Sequence, residues 1–91
     1  MTELCITIQH PTGLHARPLA QFVKTAKMFN ATIEVYNLTS GKGPANGFSP
    51  LNLMLLSIQQ GHEIKIVTSG PQENEAMEAL SVLINSNFGE K

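Results

Sequence analysis

The hydrophobic period of the chain changes twice within its first 37 residues, and that confines the fold more than any other feature. Residues 4–9 alternate, with Leu4, Ile6 and Ile8 on one face and Cys5, Thr7 and Gln9 on the other. A period of two reads as a half-buried strand. From Ala16 the period is helical: Leu19, Phe22, Val23, Ala26 and Phe29 fall at i, i+3, i+4, i+7 and i+10, with Gln21, Lys24, Thr25 and Lys27 facing outward. The break between the two, HPTG at 10–13, has room only for a turn. Pro18 sits in the first helical turn, where a missing N–H removes no bond, and Asn30 is expected to end the helix. Residues 31–37, ATIEVYN, alternate again.

The remainder repeats the pattern. The stretch LTSGKGPANGF, 38–48, reads as a turn and then a poor strand, which Pro44 confines to a sheet edge. Ser49-Pro50 is a helix start, with the hydroxyl as N-cap and proline at N1. Leu51, Met54, Leu55 and Ile58 continue the helical spacing, and Gly61 reads as the residue just past that helix. Residues 63–70 form a further strand. Pro71 opens a last helix, with Glu73 and Glu75 in its first turn, where the helix dipole favours them, and with Ala76, Leu80, Leu83 and Ile84 toward the core. The order β-α-β-(β)-α-β-α with short links implies an α+β fold: one mainly antiparallel sheet with helices on a single face.

Bulk properties narrow the function. Ninety-one residues, 42% hydrophobic and 14% charged, are read as one globular domain over 1–91. A net charge of −1 argues against nucleic-acid binding, which needs a basic stripe. No apolar run reaches the roughly 18 residues of a membrane span. The start, MTELCITIQH, reads as a strand rather than a signal peptide. The single cysteine, Cys5, has no internal partner, and no Cys/His cluster has zinc spacing. The expectation is a cytoplasmic chain with no metal and no cofactor.

The stretch GLHARP, 13–18, carries the chemistry. Gly13 permits a sharp turn. His15 falls at or near the N-cap, and residues 16 and 17 offer backbone N–H groups at the positive end of the helix. Arg17 adds a guanidinium that forks onto a phosphate or carboxylate. Neutral imidazole is a nucleophile near pH 7, and a positive neighbourhood disfavours imidazolium. One short stretch thus supplies a nucleophile and a site for a phosphoryl group. No paired carboxylate, metal site or Walker loop accompanies it, which suits a group carrier better than a complete enzyme. Two other readings of the residues stay open: His15 as a plain cap or surface residue, and GLHARP as a carboxylate-binding turn in a small ligand-binding domain. His10 reads as a turn residue, His62 as solvent-exposed in a loop, Cys5 as a small strand residue, and Ser49 as a cap first and a phosphosite second. The helix after Ser49 is apolar nearly all round, more than one sheet needs, so part of it is expected as an exposed docking patch.

Gly13-Leu14-His15-Ala16-Arg17-Pro18 resembles the phosphohistidine signature of the HPr family, the phosphocarriers of the bacterial phosphoenolpyruvate-dependent phosphotransferase system. The resemblance covers nearly the whole chain: the distance of His15 from the N-terminus, Ser49 at the second helix, Gly61 to Gly70, and the tail 69–90, whose SGPQENEA is similar to the nitrogen-related branch. It implies an open-faced β-sandwich, a four-stranded antiparallel sheet with three helices on one face (βαββαβα). It implies that His15 accepts a phosphoryl group on Nδ1 from phosphorylated enzyme I and passes it to a histidine of an enzyme IIA. Ala16, Arg17 and Pro18 at the helix start would hold the phosphate. Ala20, Lys24 and Lys27, with Leu51, Met54 and Leu55, would form the docking patch of a monomeric carrier. The competing implication is a regulatory protein-binding module that works through the Ser49 helix without obligatory phosphotransfer.

The sequence departs from the family pattern in three places. Leu19 stands where the family has alanine, beside the active centre, where it would alter docking. The 38–48 connection is two or three residues longer. Ser49, the family's regulatory serine and the link to an HPr kinase/phosphorylase and a transcriptional regulator, is preceded by Phe48 and followed by Pro50 in place of a basic and an aliphatic residue.

Overall fold

The computed structural model describes residues 1–11, 13 and 16–89. Strand β1 spans Thr2–Thr7, helix α1 Ala16–Ala26, β2 Thr32–Asn37, β3 Lys42–Asn46, α2 Pro50–Met54, β4 Glu63–Ser69 and α3 Glu73–Asn85, followed by a 3-10 turn at Asn87–Gly89. The strands form one four-stranded sheet in the order β1-β4-β2-β3, and every neighbouring pair is antiparallel. Three helices cover one face and leave the other open.

The period-two residues explain which face is covered. Leu4 pairs with Ile66, Ile66 with Val35, and Val35 with Ala45, so one apolar row crosses all four strands. Phe22, Leu19 and Ala26 of α1, Leu53 of α2, and Ala76, Leu80 and Ile84 of α3 close over this face. Each of the leucine, isoleucine and phenylalanine side chains contributes about 1.5–3 kcal/mol when fully buried. On the open face Lys65 lies 3.4 Å from the Glu3 carboxylate and 4.7 Å from the centroid of the Tyr36 ring. Pro44 lies on the edge strand β3, as expected, at a register break against Val35 and Asn37.

The bounds of four elements need correction. α1 stops at Ala26 rather than Asn30. The chain tightens there, with Met28 N–H donating to the Thr25 carbonyl. Asn30 is held instead by the β4–α3 turn: its N–H donates to Gln72 Oε1 at 2.7 Å, and its carbonyl accepts the Gln72 N–H at 3.1 Å. α2 stops at Met54, so Gly61 is not its terminus. Tertiary hydrogen bonds win over helical propensity: Ile8 N–H donates to the His62 carbonyl at 2.9 Å, and Gly61 N–H to the Ile8 carbonyl at 2.8 Å. The core face of this segment is Leu53, Leu56 and Ile58, while Leu51, Met54 and Leu55 point outward. Helix α3 starts two residues after Pro71, and β1 starts and ends two residues earlier than read.

Candidate functional site

The site is built where β1 hands over to α1. His15 lies outside the described residues, as do Thr12 and Leu14; the elements on either side are described. Gly13 N–H donates to the His10 carbonyl at 2.9 Å, closing a turn. Gly13 is buried with φ +67, a left-handed conformation that costs a side-chain-bearing residue free energy. Space forbids a side chain as well. A Cβ there would fall 2.6 Å from Gln59 Cα and against the Ile58 carbonyl oxygen. The glycine is required both by backbone angle and by the wall it lies on.

α1 then begins at Ala16, with no acidic residue in its first turn. Its leading N–H groups and the positive end of its dipole are therefore not offset by a carboxylate of its own. Arg17 is exposed in that turn, while Pro18 and Leu19 are buried. Leu19 is 1% exposed: its side chain belongs to the core, as its place in the helical spacing predicts. Arg17, Ala20, Lys24 and Lys27 are all exposed at i, i+3, i+7 and i+10, one outward stripe of the helix and its following turn.

α2 packs beside α1. Its Leu51, Met54 and Leu55 are 67%, 55% and 66% exposed, too much for a core face. Ser49 is the N-cap: its hydroxyl accepts from Asn52 N–H at 3.2 Å and from Asn52 Nδ2 at 2.9 Å. The capping role read from the sequence is the one the hydroxyl performs.

Sequence reasoning missed three residues near the site. His10, read only as a turn residue, is buried and meets the Phe88 ring. His62, read as exposed, is half-buried and hydrogen-bonded through Nδ1. Asn37 is wholly buried. For Asn37 a signal existed: it shares the inward parity of Ile33 and Val35, where a polar side chain must find partners. For His10 and His62 none did, because the ring contact with Phe88 and the bond to Asn37 both join residues distant in sequence. Among the described residues no three His, Cys, Asp or Glu side chains gather as metal ligands, and no helix is long and apolar enough to cross a membrane.

Comparison with known proteins agrees with this geometry. The family model for the PTS HPr component phosphorylation site matches residues 2–86. The phosphocarrier protein HPr of Neisseria meningitidis serogroup A is 40% identical over 90 residues, covering 99% of this chain and 98% of that protein. The multiphosphoryl transfer protein of Salmonella typhimurium is 35% identical over 83 residues, 91% of this chain. The chain spans only about a fifth of the length of that longer relative, 22%. A crystal structure of HPr from Thermoanaerobacter tengcongensis superposes with a TM-score of 0.92 at 42% identity, covering 100% of this chain and 99% of that one. The family model matched over residues 2–86, the identity to HPr along nearly the whole chain and the shared open-faced fold place the chain in the HPr family of phosphotransferase-system phosphocarriers.

Proposed function

We propose that this single domain is a cytoplasmic phosphocarrier. His15 accepts a phosphoryl group on Nδ1 from phosphorylated enzyme I and donates it to a histidine of an enzyme IIA. In each transfer the neutral imidazole attacks phosphorus with its free lone pair. The donor's bond to phosphorus breaks, and the donor nitrogen keeps the electron pair. The backbone N–H groups at Ala16 and Arg17, with the Arg17 guanidinium, balance the phosphate charge, and Pro18 fixes the backbone angle of that turn. The observation that carries this reading is the first turn of α1, which follows the Gly13 turn and holds an exposed arginine and no carboxylate.

The stripe Ala20, Lys24 and Lys27 and the apolar Leu51, Met54 and Leu55 serve as the docking surface of a monomer that presents one face to successive partners. Ser49 is the candidate for a secondary phosphosite, although Phe48 and Pro50 replace the basic and aliphatic residues that an HPr kinase/phosphorylase meets in the family. Its phosphate would sit at the start of α2 and add charge beside the apolar patch.

The test is intact mass after incubation with phosphoenolpyruvate, Mg2+ and enzyme I. One acid-labile phosphate on the wild type and none on His15→Ala is the expected result. No mass shift with the cognate enzyme I rules the role out.

A further inference from the structure

Asn37 ends β2 on the inner face of the sheet, and both hydrogens and the oxygen of its amide have partners. Oδ1 accepts the Ser40 N–H at 3.2 Å. Nδ2 donates to the Leu56 carbonyl at 3.0 Å and lies 3.1 Å from Nδ1 of His62. A backbone N–H only donates and a carbonyl only accepts, so the amide cannot be turned round. Its second hydrogen therefore points at His62. Nδ1 of His62 also accepts the Gln59 N–H at 3.2 Å. The imidazole thus carries its hydrogen on Nε2, and one lone pair on Nδ1 serves two donors.

The two side chains together fix the backbone from Leu56 to Gln59, a stretch without regular structure in which Ser57 has φ +50. This is the same backbone on which Gly13 lies, through Ile58 and Gln59. Gly13 in turn is two residues before His15 in the chain.

We propose that His62 is a positioning residue for the phosphorylatable loop: with Asn37 it pins the 56–59 backbone, and that backbone is the wall on which the Gly13 turn is seated. The kinetic consequence rests on the phosphocarrier reading; the structural one does not. His62 acts through an acceptor at the Nδ1 position, and that makes the role separable from simple space-filling.

Two substitutions divide these. His62→Asn keeps an acceptor oxygen close to the Nδ1 position. His62→Leu fills similar space without one, and His62→Ala is a second acceptor-free variant should the leucine form not fold. With phosphoenolpyruvate and enzyme I, His62→Leu is expected to lose about tenfold in maximal rate of phosphoryl acceptance, because a displaced reacting group loses rate steeply. Its KM as a substrate of enzyme I should stay put, since the Leu51, Met54 and Leu55 surface is untouched. His62→Asn should stay within about twofold of wild type, as a retained hydrogen bond implies. Amide hydrogen exchange at Gly13 and Gln59 should quicken in His62→Leu and return toward wild type in His62→Asn. Equal loss in both variants, a rise in KM alone, or an unchanged maximal rate in His62→Leu would overturn the proposal. Should the wild type take no phosphate, the phosphocarrier reading fails and exchange decides this one: unaltered exchange at Gly13 in His62→Leu overturns it, and quickened exchange restored by His62→Asn supports it.

Discussion

The ring of His10 meets the ring of Phe88 edge to face, with centroids 6.0 Å apart and planes at 69°. Both residues are buried. The carbonyl of His10 holds the Gly13 turn, so the 3-10 turn after α3 braces the start of the site from the opposite end of the chain. Phe88 reaches this place with φ +59, a conformation uncommon for an aromatic residue and held by the burial of its ring.

Phe88→Ala should therefore destabilise the protein by about 3 kcal/mol, the low end for a buried aromatic because the turn can relax. Urea unfolding followed by circular dichroism measures it. A loss below about 1 kcal/mol would show that the terminal turn does not brace the fold.

Leu19 shows what the sequence made legible and what it hid. Its place in the i, i+3, i+4 pattern with Phe22 and Val23 marked it as core, and the structure agrees. The family comparison pulled the other way, because a residue two positions from Arg17 looked like part of the docking face. Helical geometry decides: Arg17 and Ala20 point out, Pro18 and Leu19 point in. Periodic elements were legible for this reason. The ends of α1 and α2 were not, since Asn30 and Leu56 are claimed by Gln72 and Asn37, and nothing local in the sequence announces those bonds.

Leu19→Ala, although it restores the residue expected of the family, should cost about 2–4 kcal/mol through the cavity it leaves. It should leave the KM for enzyme I unchanged at 25 °C. A large change in KM with little loss of stability would place Leu19 in the docking face after all.

Met54→Asp should do the reverse. Met54 is 55% exposed on α2, so stability should move by no more than about 0.5 kcal/mol. A charge placed in an apolar contact must be desolvated on docking, and the KM for enzyme I should rise about tenfold, equivalent to ~1.4 kcal/mol of binding. Unchanged kinetics would remove α2 from the docking surface.

Glu73, at the start of α3, contributes to the pH dependence of stability. Its carboxylate accepts a hydrogen bond from the Met1 ammonium, at 2.7 Å, from the Thr2 hydroxyl at 3.0 Å and from the Gly70 N–H at 3.3 Å. These bonds favour the charged form, the first of them most, and hold the group below its ordinary value of 4.5. A lowered folded pKa means that the unfolded chain binds a proton more readily. The contribution is therefore complete above about pH 4.5, the unfolded value, and is lost as pH falls through the lower folded value. Glu73→Gln cannot ionise and lacks this dependence. The wild type should exceed Glu73→Gln in stability at pH 7, and the gap should narrow steadily as the pH is taken below 4.5. Added salt should narrow it at pH 7 as well, because the carboxylate is partly exposed to solvent. Paired urea titrations at pH 7 and pH 3 measure the gap, and a gap that stays constant between them would mean that the carboxylate of Glu73 is no better held in the folded protein than in the unfolded chain.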